Sequence, residues 1–129
     1  MVFEPGSVLL AATMSYSEAA ASRVRKALAG RKEIIEKELF GGIAFLLGGN
    51  MCVGVHGDDL IVRIEPSTTA AMLKEPGAKP FDLAGRPGMA GWLLVAPAGY
   101  RTEAALHAWV ARGVGFASSL PKKRPGRKR

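Results

Sequence analysis

The spacing of hydrophobic positions changes along the chain, and the change predicts where helix gives way to strand. From Ser17 to Ala29 the apolar residues Ala20, Val24, Ala27 and Leu28 recur at helical intervals, while Arg23, Arg25 and Lys26 fall largely off that stripe. Ser15 followed by Glu18 has the spacing of a capping box, and Gly30 is a natural C-terminal stop. Glu33 to Phe40 reads as an edge strand. Gly42 to Leu47, Met51 to His56 and Leu60 to Ile64 are short apolar runs separated by Gly48-Gly49-Asn50 and Gly57-Asp58-Asp59, both compositions of hairpin turns. Connections this short cannot hold the crossover helix that parallel strands need. The pattern therefore predicts an antiparallel meander and excludes dinucleotide-binding folds of the Rossmann type.

Pro66 to Leu73 predicts a short helix with proline in its first turn, ended by Pro76-Gly77. The stretch from Ala78 to Gly91 carries Pro80 and Pro87-Gly88 and is expected to be irregular apart from a strand at Phe81 to Leu83. Trp92 to Val95 forms the last strand. A long helix from Thr102 to Leu120 follows, with Thr102 as its cap and a stripe of Leu106, Trp109, Val110, Gly113, Val114, Ala117 and Leu120 to bury. Together these elements predict an α+β domain: a meander sheet of about five strands with an N-terminal helix, a short middle helix and a long C-terminal one. Residues 1–13 read as a loose leader, 14–121 as the domain and 122–129 as a basic tail.

Composition sharpens this picture in three ways. At 129 residues with 48% hydrophobic and 22% charged positions, the chain suits one packed domain. Its longest apolar runs, of which Ile43 to Leu47 is one, fall far short of the roughly 20 residues a bilayer-crossing helix needs. The lone Cys52 cannot form an intramolecular disulfide or a structural zinc site, which fits a reducing cytoplasm. The formal net charge of +7 is concentrated at one end: Lys122, Lys123, Arg124, Arg127, Lys128 and Arg129 supply six cations, and the rest of the chain carries +1. The tail is a candidate for non-specific, salt-dependent contact with nucleic acid, although it holds no aromatic residue to stack on bases.

Candidate chemistry is sparse. His56 with Asp58 and Asp59 has a loose metal-ligand spacing, but Gly57-Asp58-Asp59 is what a hairpin turn selects for backbone reasons. His107 stands apart on the long helix. Cys52 has no recognisable base partner, so the sequence predicts a buried, inert thiol. The Ser119-x-x-Lys122 spacing lacks the companion motifs of the serine enzymes that use it. The glycine pairs at Gly41-Gly42 and Gly48-Gly49 are not followed by the lysine and hydroxyl residue of a phosphate loop, and are expected to serve the backbone. Arg63, Arg86 and Trp92 are candidates to line a polar pocket, with Asp82 a plausible carboxylate partner for an arginine. Phe40, Trp92 and Trp109 are the large aromatics able to anchor an interface or fill the core. No cofactor and no metal are expected.

Three blocks carry a family resemblance: Glu38 to Leu47 with its Phe-Gly-Gly-Ile-Ala-Phe, Gly49 to Val55, and Asp58 to Ile64. With Pro80 to Pro87, Gly91 to Val95 and the closing Phe116 to Pro121, they make the chain resemble the TfoX/Sxy N-terminal domain family over most of Met14 to Pro121. Leu39 departs from the methionine expected before Phe-Gly-Gly, and Gly88-Met89-Ala90 lengthens one loop. The resemblance implies a curved antiparallel sheet packed on helices, similar to secretion-chaperone-like folds. It also implies a non-enzymatic regulatory role through protein contacts, linked in full-length members to competence regulation with the cyclic-AMP receptor protein. A protein partner, a homodimer or a nucleic-acid contact through the tail are the associations expected, with no membrane.

Overall fold

The structure, a computed structural model, describes residues 16–31, 33–39, 41–81 and 90–121. Helix α1 spans Glu18–Ala27. Strands β1 (Ile34–Leu39), β2 (Gly42–Leu47), β3 (Asn50–His56) and β4 (Asp59–Arg63) follow as hairpins. A 3-10 turn at Pro66–Thr68 runs into the one-turn helix α2 (Thr69–Met72), then come β5 (Ala78–Pro80), β6 (Trp92–Val95), a 3-10 turn at Pro97–Tyr100 and helix α3 (Glu103–Ser118). The α+β class and the order of helices agree with the sequence pattern. The sheet has six antiparallel strands in the order β1-β2-β3-β4-β6-β5, so the meander runs unbroken to β4 and β6 then takes the place beside it.

Local chemistry sets the boundaries. The Thr102 hydroxyl accepts from Ala105 N–H at 3.0 Å and caps α3. At α1 the cap is Ser17, whose hydroxyl accepts from Ala20 N–H at 3.1 Å, a simple N-cap with alanine where a capping box needs a glutamate or glutamine; Ser15, where the box was expected, lies outside the described residues. Ser17 N–H also donates to Gly57 O at 2.7 Å, which pins the entry of α1 to the β3–β4 turn. Gly48 and Gly49 turn β2 into β3 with φ of +60° and +84°, the pair of positive values a tight hairpin needs. A strand forms at Ala78–Pro80, where an edge position tolerates the missing N–H of proline. Of the strand expected at Phe81 to Leu83, Asp82 and Leu83 lie outside the described residues.

Helices α1 and α3 cover one face of the sheet. Ala21, Val24, Leu106, Trp109, Val110, Val114 and Ala117 pack there against Phe45, Val53, Val55, Leu60, Val62, Leu93 and Val95. Each large side chain fully buried there contributes about 1.5–3 kcal/mol. The opposite face holds a smaller cluster of Ala44, Met51, Ile61 and Leu94, flanked by Leu46, Phe81 and Trp92. Between Phe45 and Leu46 the β2–β3 register slips by one: Phe45 pairs with Val53 but Leu46 with Met51. Cys52 is the extra residue of this bulge, and it turns Cys52 and Val53 toward the helices while Met51 joins the far side.

Candidate interaction site

Strand β4 ends at Arg63 and β6 begins at Trp92, and the register places the two opposite each other. The Arg63 guanidinium carbon lies 5.1 Å from the Trp92 ring centroid and 5.4 Å from that of Phe116 on α3. Arg63 is thus held between two aromatic faces, attracted by the negative potential over each ring. Phe81 leans on Trp92 with centroids 5.5 Å apart. Among the described residues no carboxylate lies within ion-pair distance of Arg63.

Two grooves flank this ridge, separated by the segment from Pro66 to Met72. That segment is fixed by backbone chemistry: Ile64 N–H donates to Gly91 O at 2.9 Å, and Gly91 N–H donates to the Thr69 hydroxyl at 2.7 Å. One groove, of about 350 Å³, has Ile64, Met72 and Phe116 as apolar walls and Glu65, Arg112 and Ser119 at its rim. The other, of about 500 Å³, lies between Pro66, Thr69, Leu73, Pro80 and Trp92. Arg112 is stacked over Trp109 at 4.4 Å and reaches Glu75 at 3.7 Å. The hydroxyls here serve the backbone, Thr68 donating to Glu65 O and Thr69 to Pro66 O. The arrangement offers apolar walls and a stacked cation, which suits docking of side chains from another molecule.

The other sequence candidates fall elsewhere. Trp109 is buried in the main core and donates its indole N–H to Gly99 O at 3.2 Å, so it supports the fold and presents no anchor at the surface. Phe40, Arg86, Asp82 and the tail cations Lys122, Lys123, Arg124, Arg127, Lys128 and Arg129 lie outside the described residues. The hairpin acids are engaged separately: Asp59 pairs with Lys79 at 2.9 Å, and the Asp58 carbonyl accepts from the Tyr100 hydroxyl at 2.6 Å. His107 is a surface residue 3.7 Å from Glu103. Cys52 is buried, its thiol donates to Phe45 O at 3.2 Å, and burial pushes its pKa up to about 11. Phe116, Phe81 and Met72 escaped the sequence reading; Phe116 lies just off the buried stripe, a flank position that points an aromatic along the helix edge.

The family model for the TfoX N-terminal domain matches residues 26–117, a span that holds the whole sheet and the ridge at its end. The chain belongs to the TfoX N-terminal domain family. The match opens within α1 and closes within α3, so the elements that build the TfoX-type domain are the ones that position Arg63, Trp92 and Phe116. No curated protein matches the chain. Among the described residues no helix is long and apolar enough to cross a membrane.

Proposed function

We propose that this TfoX-type domain is a regulatory adaptor that works in the cytoplasm by binding another protein, without catalysis of its own, through the ridge of Arg63, Trp92 and Phe116 and the grooves beside it. The observation that carries the reading is the stacked Arg63. A cation held between two rings at the end of the sheet, with an apolar groove on either side, is the kind of aromatic and arginine anchor that dominates protein interfaces. Membership of the family supports the regulatory side of the reading.

The test is affinity purification from the native cell with the intact chain, a version ending at Pro121, and the variant Arg63→Glu, each with and without nuclease. Reversing the charge at Arg63 removes both stacking contacts and is expected to abolish capture of the protein partner while circular dichroism stays unchanged. A partner recovered equally by Arg63→Glu overturns the ridge. Recovery that vanishes with nuclease or without residues 122–129 favours the alternative, an accessory protein held on nucleic acid by its tail.

A further inference from the structure

The two edges of the sheet differ. At one, β5 is three residues long and ends in Pro80, a short and poorly donating edge of the kind that resists further pairing. At the other, β1 has six residues without proline or glycine, and among the described residues no strand lies on its outer side. Ile35 in β1 is, among the described residues, the large hydrophobic side chain that the fold leaves exposed, at 59%.

The two sides of β1 carry different chemistry. Ile34 packs toward the main core and Glu36 reaches Arg25 of α1, at 2.6 Å and 3.1 Å, so alternation assigns Ile34, Glu36 and Glu38 to the helix side and Ile35 and Lys37 to the other. On the helix side Arg25 is already shared between Glu36 and Glu18. Glu38 adds a further carboxylate near Tyr16, whose hydroxyl is held protonated by burial and then by the charges of Glu18 and Glu38. Among the described residues no ion pair involves Glu38, so its carboxylate is the unmatched charge on this side of the edge.

In the two registers that keep five residues of β1 paired, a second copy of the chain meets like charges. Pairing two β1 strands antiparallel with both helix layers on one side places residues of the same side opposite each other. Centred on Glu36, the register opposes Glu36 to Glu36, sets Ile35 against Lys37 and sets Ile34 against Glu38. Centred on Lys37, it opposes Lys37 to Lys37 and Glu36 to Glu38. Like charges directly opposite are destabilising, so both central registers repel.

We infer that the outer edge of β1 is a strand-addition site for an extended segment of another protein, one with cations on the α1 side and an apolar side chain beside Ile35. Main-chain hydrogen bonds supply affinity in such a mode and alternate side chains supply selectivity. This surface is separate from the Arg63 ridge and stands without it.

The test titrates the intact chain with a short blocked peptide alternating lysine and valine, following backbone amide resonances by NMR. Shifts centred on Ile34–Leu39 are expected, with affinity weakened at least about fivefold by Glu38→Lys and by Ile35→Lys. The same peptide methylated on alternate backbone nitrogens is expected to lose binding, because it cannot complete the ladder. Four results overturn the inference: equal binding by a scrambled peptide, retained binding of the methylated one, tighter binding of a peptide copying residues 122–129, or self-association of the chain that Ile35→Lys abolishes. Peptide binding without any captured partner leaves the edge standing and the adaptor reading fallen. A partner captured equally by Ile35→Lys, with no peptide binding, does the reverse.

Discussion

Cys52 illustrates how one residue's surroundings set its chemistry. Its thiol sits under α3, gives its hydrogen to Phe45 O, and has no water to solvate a thiolate, so burial raises its pKa from the ordinary value near 9 to about 11. The native state therefore holds a proton that the unfolded state releases above pH 9. The stability linked to this group is fully present below pH 9 and is lost as pH rises toward 11, by about 3 kcal/mol in total. Tyr100, also raised by burial, acts in the same direction. Urea unfolding of the intact chain and of Cys52→Ala across pH 8 to pH 11 is expected to give a steeper decline for the intact chain; parallel curves would show that Cys52 ionises freely in the native state.

At the scale of elements, the decisive contact is that of α3 on β3. A Cβ at Gly113 would run into the Cys52 carbonyl oxygen and stand 2.8 Å from Val53 Cγ1, so the helix lies on the bulged strand with no room for a methyl group. Gly115, two residues on, is exposed and would place its Cβ in open space. The same substitution should then have opposite signs in one helix. Gly113→Ala is expected to destabilise by roughly 1–3 kcal/mol through overpacking, while Gly115→Ala stabilises by about 0.5–1 kcal/mol by restricting the unfolded chain. Denaturant midpoints check both, and equal effects would mean that α3 shifts off the bulge at little cost.

At the scale of the whole molecule, the charge is concentrated in residues 122–129, which carry six cations while the rest of the chain carries +1. The Pro121 carbonyl accepts from the buried Asn50 side chain at 2.9 Å, which ties the segment after α3 to the start of β3. Ending the chain at Pro121 keeps that acceptor and removes six cations. The unfolding free energy is expected to change by less than about 0.5 kcal/mol, whereas salt-dependent retention on immobilised DNA should fall sharply. A large loss of stability would place the tail among the residues that hold the fold.

The helical stripe of α3, the hairpin glycines at Gly48-Gly49 and the short apolar runs of β2 to β4 were legible in the sequence, because each is a local pattern that repeats with the period of its own element. So was the family, carried by short blocks around Phe-Gly-Gly. What the chain alone did not reveal depends on residues far apart in sequence. The place of β6 between β4 and β5 is a choice of pairing partners, and strict alternation would have sent Cys52 and Val53 to opposite faces. Trp92 and Trp109 look alike as isolated aromatics; only packing buries one under the helix layer and leaves the other against Arg63. Arg63 and Phe116 come from a strand and a helix more than fifty residues apart. Local periodicity determined the elements, and the tertiary structure decided which of their edges and aromatic faces remained available for contact, since burial is a property of the assembled layers.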